Sequence, residues 1–510
     1  MEKQLNLVSK LSLNEMALRR VIVNLWYESD ISAAVGGPRK VESPSGCTRS
    51  VLWEIVINEV KEKVSKLMLP VSLKKRLMDL VRPIRSEIRI WVVYHKHILN
   101  YLPDEDLDMR IFEQLCWTCT GAIDYRKTAE LLVRLETLDI EKRYRLACLY
   151  CLEDYIPVLW VELPEKYKSR FDEEVYPLPE NVVHLEYYWA SVLKGEEFKL
   201  NDILPREFVN MSSTYQSFFK FSACKGSKAA TEYFFRKLTD KERDTVLFRT
   251  LCAALERDMR SYLLRGEQKK PRSDVLCYLL SLMTHEQRMK VFKKHPSSCL
   301  MCFLDWPWHD LFLDIADLIW NFLPKSRYDH VLDTMRSNIL NLNLGYYFPD
   351  LFQKFFMRSP SDFRKYFVDR ECMHYQIPFF CKFIYVEDAE TIKIVLRNLD
   401  SCDKVRLLSG HKFFKLLSFL VEMEKWHLVE LCIGEAMRSK EDWEILKKVY
   451  MEQTTWCRGD RKWKRFFELL DGTGVSASGT KCSEDETLTK AKRISSEEEA
   501  YDLTKKHKRH

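Results

Sequence analysis

From Glu232 to Leu251 the chain reads EYFFRKLTDKERDTVLFRTL. Ala230, Tyr233, Phe234 and Leu238 recur at helical spacing and share one face. Thr239 follows, with Glu242 three residues on, the pattern in which each side chain accepts from the other's backbone N–H at a helix start. A second stripe then runs through Val246, Leu247, Leu251, Ala254 and Leu255. The stretch therefore predicts two helices joined by almost no loop.

The same pattern returns. Met283 precedes Thr284 and Gln287; Leu323 precedes Pro324; Arg358 precedes Ser359 and Pro360, with Ser359 read as the cap; Leu399 precedes Asp400 and Asp403. Further back, Leu138 precedes Asp139. A basic residue follows four or five positions after the punctuation in five of these six places: Arg143, Arg243, Arg288, Arg364 and Lys404. Its simplest role is a solvated or carbonyl-capping side chain on one flank. The marks at 238, 283, 323, 358 and 399 are 45, 40, 35 and 41 residues apart. Two helices per unit at an irregular period of about 40 fit the HEAT/armadillo range better than ankyrin or TPR repeats. The expected fold is all-α: an irregular α-solenoid of stacked antiparallel helix pairs, each hiding its apolar stripe on its neighbours.

Along the chain, 1–35 reads as an amphipathic helix, 36–48 as a loop or linker, 49–103 as an N-terminal helical region and 104–472 as the repeats. In the second region the pattern of the first helix continues to Leu69, and Pro83 is expected to kink or break the next one. Residues 473–510 are polar, charged and poor in large apolar side chains, which predicts a disordered tail. Only 14 Gly and 17 Pro in 510 residues agree with helices and short links. Apolar residues make up 46%, enough for a large core. With 81 basic and 75 acidic residues the chain is close to charge balance, which gives it no global nucleic-acid footprint. No secretory leader or membrane-spanning run is expected, so the 16 cysteines are expected to stay reduced in the cytoplasm. The tail's KAKRISS and KKHKRH leave nuclear entry open.

RYRLACLYCLED (Arg143 to Asp154), preceded by IDYRKTAELL, resembles an expanded family of uncharacterised helical-repeat proteins from arachnids, over roughly residues 10–165. The resemblance implies a solenoid and no activity, and it carries no site residue.

Candidate chemistry is sparse. CxxC pairs occur at Cys116/Cys119, Cys148/Cys151 and Cys299/Cys302. Four thiolates suit tetrahedral zinc, but these pairs lie in apolar helical text without knuckle glycines. His295, Cys299, Cys302 and His309 form the sharpest zinc candidate, yet the neighbouring Trp306, Pro307 and Trp308 favour a packed helix junction. There is no phosphate loop, no GxGxxG after a strand and no HExxH; the nearest, His285-Glu286, lacks its second His. No cofactor is implied. WCRGDRKWKRFF (Trp456 to Phe467) interleaves cations with aromatics, so Arg461, Lys462, Trp463, Lys464 and Arg465 make RNA binding the alternative. The favoured reading of the same segment is a last helix with its apolar face inward and its cations snorkelling. The favoured function is a non-catalytic protein-interaction scaffold without membrane contact, its conspicuous aromatics Trp306, Trp308, Tyr346, Tyr347 and Trp426 divided between core and groove.

Overall fold

A computed structural model describes residues 11–36, 49–99, 108–171, 184–209, 211–261, 269–340, 349–369, 380–436, 440–454 and 460–471. Most of the 36–48 linker, the 473–510 tail, Tyr346 and Tyr347 lie outside them. The regular elements among the described residues are all helices, with one isolated bridge between Trp117 and Ile123 and no strand. They form two compact units, Met1–Leu399 and Asp400–His510.

The first unit begins with the helix Leu13–Trp26, capped by Ser12 accepting from Glu15 N at 3.1 Å. The segment 1–35, read as one amphipathic helix, is broken at Tyr27, and a second helix, Ser29–Gly36, follows. Next come Arg49–Lys66 and Val71–Leu99, packed against each other. Pro83 does not break the latter: the helix runs 29 residues through it. Its interior cost is about 3 kcal/mol, which the burial of Leu77, Val81, Ile84, Ile88 and Trp91 offsets.

All six expected junctions join two helices. They lie between Tyr125–Arg134 and Ile140–Leu149, Lys228–Lys237 and Asp240–Ser261, Lys269–Leu282 and His285–Lys294, Phe312–Ile319 with its trailing turn and Lys325–Leu340, Pro349–Arg358 and Ser361–Asp369, and Ala389–Arg397 and Ser401–Ser409. Thr239 and Glu242 bond reciprocally, as do Thr284 and Gln287, and Asp139 accepts from Glu141 N and Lys142 N. Two caps differ from expectation. Asp400 stands at its helix start but its side chain makes no cap bond. Ser359 is not the cap of the helix after it: its buried hydroxyl donates to Phe355 O at 2.8 Å, closing the helix before it. Pro360 takes the cap position, and its carbonyl accepts from Arg364 N.

The recurrent arginine reaches back across the turn. Arg143 Nε donates to Val133 O at 2.7 Å, Arg243 to Phe235 O and Arg236 O at 3.1 Å, and Arg288 Nε to Leu280 O at 2.8 Å. Arg364 donates to Ser359 O at 2.6 Å and to Met357 O at 3.2 Å. A helix leaves its last carbonyls without backbone partners and its C-terminal end negative, so a guanidinium there satisfies both.

From residue 214 to 397 the packing has a regular order. The helices starting at Thr214, Asp240, His285, Phe312, Pro349 and Ala389 each pack on the next in that series. Those starting at Lys228, Lys269, Pro296, Lys325 and Ser361 do the same. Aromatic side chains fill the space between: Tyr188, Phe218 and Phe234 in one cluster, Trp320, Tyr328, Phe355 and Phe363 in another. The second unit contains Ser401–Ser409, His411–Glu422, Trp426–Ala436, Lys440–Gln453 and Arg461–Leu470, the last packing on both His411–Glu422 and Lys440–Gln453.

Candidate functional site

A gathering of buried polar groups lies in the first unit, where distant parts of the chain meet. Arg19 sits on the inward face of Leu13–Trp26 with only 3% of its side chain exposed. Its Nη2 donates to both carboxylate oxygens of Asp310, at 3.1 and 3.0 Å, across 291 positions of sequence. Its Nη1 donates to Thr120 O at 2.9 Å, and its guanidinium lies 4.4 Å from the centroid of the Trp306 ring. Trp306 in turn donates from Nε1 to Gly121 O at 2.8 Å and stacks on His309. The 116–124 turn, pinned by Asp124 N donating to Cys116 O, brings Gly121 into this contact. Gly121 has φ +69°, and a Cβ there would stand 3.0 Å from Ile84 Cδ1 and 3.2 Å from Trp306. Only glycine suits both the backbone and the space.

Beside this clasp lies a cluster of rings. His95 is buried in contact with Trp91, Tyr94, Tyr125 and Tyr150. Its Nδ1 is 2.7 Å from Trp91 O. A carbonyl only accepts, so Nδ1 carries the proton, and in the neutral ring Nε2 accepts from the Tyr150 hydroxyl at 2.6 Å. Burial pushes the His95 pKa down to about 4 and Tyr94 up to about 12, and raises Tyr125 and Tyr150 well above the usual phenol range. His309 also falls to about 4 through burial, against the upward pull of Asp310, 3.3 Å away. Groups so displaced are poorly matched to moving protons at neutral pH; the arrangement holds segments together. Trp308 Nε1 donates to Asp274 at 2.7 Å, and Ile123 N donates to the buried Glu87 at 3.1 Å, extending the same joint.

The zinc candidates are not gathered. Cys299 and Cys302 are buried within the helix Pro296–Cys302; His295 sits at its N-terminal boundary, 3.6 Å from Glu256; His309 belongs to the clasp. Among the described residues no group of three or more His, Cys, Asp or Glu is placed to hold a metal ion. Cys148 and Cys151 are buried core thiols, pushed up by burial, Cys151 to about 12, while Cys119 is exposed.

The basic-aromatic segment forms the helix Arg461–Leu470, capped by Asp460. Trp463 is 2% exposed and packs on Phe414 and Phe466, so its ring faces protein. Lys462 Nζ donates to Glu422 O at 2.7 Å, closing the end of His411–Glu422, and Arg465 lies 4.2 Å over the ring of Trp426. Of the five residues, Arg461 and Lys464 point outward without such engagement in the core. Of the conspicuous aromatics, Trp306 is core, while Trp308 and Trp426 are half-buried.

The residues that sequence reasoning missed are Arg19, Gly121 and Asp310. Arg19 interrupts an otherwise apolar helix face, the one local sign available. No helix among the described residues is long and apolar enough to cross a membrane. No protein-family model matches the chain, and no curated protein matches it in sequence.

Proposed function

We propose that the chain is a helical-repeat solenoid, of HEAT-like period, that serves as a non-catalytic scaffold for protein partners. The carrying observation is the two-row order over residues 214–397, in which each helix meets its counterpart in the next pair. Translational stacking of that kind is the sequence-local packing of a repeat array, whose elongated faces suit extended partners. The shared arginine staple at four helix junctions is the second mark of a repeated unit. An open array makes contacts only between neighbours, so the Arg19–Asp310 pair adds a refinement: the array curls until its first helix meets a later turn. The arachnid repeat family is the proposed kinship, resting on the helices Tyr125–Arg134 and Ile140–Leu149. A cytoplasmic site of action, with nuclear entry through the basic tail, belongs to the same proposal.

The test is proximity labelling with the full-length chain, followed by direct binding of each purified neighbour. A neighbour that binds one-to-one at micromolar or tighter Kd supports the scaffold. Failure of every enriched neighbour to bind directly overturns it.

A further inference from the structure

The helical hairpin Arg49–Lys66/Val71–Leu99 ends in a tip that the fold leaves bare. Met68 is 99% exposed and Val71 83%, with Leu69 and Pro70 also exposed beside them. The tip is held rather than loose. Leu67 N donates to Val64 O, Leu69 N to Leu67 O at 2.9 Å, and Leu73 N and Lys74 N both to Pro70 O at 3.0 Å. Lys74 Nζ donates to Ser65 O at 2.7 Å, joining the two helix ends. The apolar side chains are thus kept out of the core by a closed turn at the point where two helices converge.

Cations surround it. From 61 to 76 the charged residues are Lys61, Lys63, Lys66, Lys74, Lys75 and Arg76 with the one carboxylate Glu62, and Lys63 is taken up by Glu28 and Asp30 of the neighbouring segment. Lys66 adjoins the tip with 71% of its side chain exposed, paired in solvent with Glu62. Lys75 is exposed, and Arg76 is half-exposed and paired with Glu15. Lys75 stands one helical turn, about 5 Å, behind Val71. The cations therefore sit at about headgroup depth when the apolar tip lies among the first acyl methylenes.

We propose that the Leu67–Val71 tip is a peripheral docking point for an anionic lipid bilayer: Met68, Leu69 and Val71 enter the interface while Lys66 and Lys75 meet lipid phosphates. The charge decides for a bilayer over a protein groove. Val158 and Val161 are also exposed, at 59% and 78%, but their nearest charged neighbours in sequence include Glu153, Asp154 and Glu162, so they lack the cationic collar. Docking of this kind needs no spanning helix, and it revises the expectation of no membrane contact in that one respect. It is independent of whether the solenoid holds a protein.

The experiment is co-sedimentation of the full-length protein with vesicles of phosphatidylcholine alone or with about one-third phosphatidylserine, at low and high salt. The expected result is binding only to the anionic vesicles, weakened by salt. Met68→Glu/Leu69→Glu is expected to lower the partition coefficient at least tenfold. Lys66→Glu/Lys75→Glu is expected to lower it by about fivefold per cation or more, since a surface cation near an anionic leaflet contributes about that factor. All four side chains are exposed, so an unchanged thermal melt checks that the variants are folded. Wild-type protein that stays in the supernatant overturns the proposal, as it must if the tip fits a protein groove instead. Undiminished binding of the Met68/Leu69 variant overturns it equally, and assigns the attraction to another basic segment.

Discussion

Removing the Arg19 guanidinium tests whether the first unit is closed on itself. Arg19→Met keeps most of the stem and deletes the charge. The structure loses a two-pronged ion pair with Asp310, a donor to Thr120 O and a cation stacked on Trp306. Breaking a fully buried pair costs about 3–5 kcal/mol. Asp310 keeps 21% of its side chain in solvent, so water recovers part of that, and the expected loss is roughly 2–4 kcal/mol. Asp310→Asn leaves Arg19 its carbonyl and its ring, and is expected to cost about 1–2 kcal/mol. The two residues touch, so their effects are not additive: the double variant should fall short of the sum by about 1–3 kcal/mol. Urea unfolding followed by far-UV dichroism supplies all three values. A coupling below about 0.5 kcal/mol would mean that residues 19 and 310 do not hold each other, and the unit would be an open stack.

Four further outcomes follow from the geometry. Gly121→Ala puts a Cβ against Ile84 and Trp306 at a left-handed φ and is expected to destabilise by about 2–4 kcal/mol; a thermal melt unchanged within a degree would show the turn yields freely. Burial lowers both His95 and His309 from 6.5 to about 4, so the folded state binds fewer protons between these values; their contribution is full above pH 6.5 and should fall toward pH 4 by up to ~3 kcal/mol for each, and His95→Gln should remove about half of that slope, an undiminished slope showing that His95 has no part in it. Arg288→Met removes the staple to Leu280 O, for about 1–2 kcal/mol, and should speed hydrogen exchange in the last turn of Lys269–Leu282; equal exchange would show the staple is idle. Trp463→Ala is expected to cost about 3–5 kcal/mol in the second unit while Arg461→Ala and Lys464→Ala stay near neutral; a mild Trp463 variant would speak for a surface ring.

What the sequence discloses here is what neighbours in sequence decide. The Thr239–Glu242 and Thr284–Gln287 boxes need only three residues' separation, and both form. The arginine four residues into a helix reaches the preceding helix end because the turn is so short. Where local rules failed, packing had intervened: Ser359 turned inward to the helix before it, and Pro83 stayed inside a helix whose burial outweighs its missing N–H. The clasp was illegible because it joins residues 291 positions apart, and no periodicity carries that pairing. Arg19 interrupts an apolar helix face, but nothing near it in sequence names Trp306 and Asp310 as the groups that cover it. The bare tip was hidden for the opposite reason: Leu67 to Leu69 continue the apolar pattern of Arg49–Lys66, yet the helix ends at Lys66 and turns them outward. His295, Cys299, Cys302 and His309 adjoin in text, but the helix Pro296–Cys302 keeps both thiols buried within it and His309 belongs to the clasp.

The Arg19–Asp310 pairing also sets an order of events at birth. A ribosome that adds roughly 5–20 residues per second delivers the aspartate about 15–60 s after the arginine. Through that interval the first helix carries a cation meant for a dry place and has no anion to receive it. The amino-terminal segment must therefore wait, half-finished and in need of shelter, while the helices that follow it assemble.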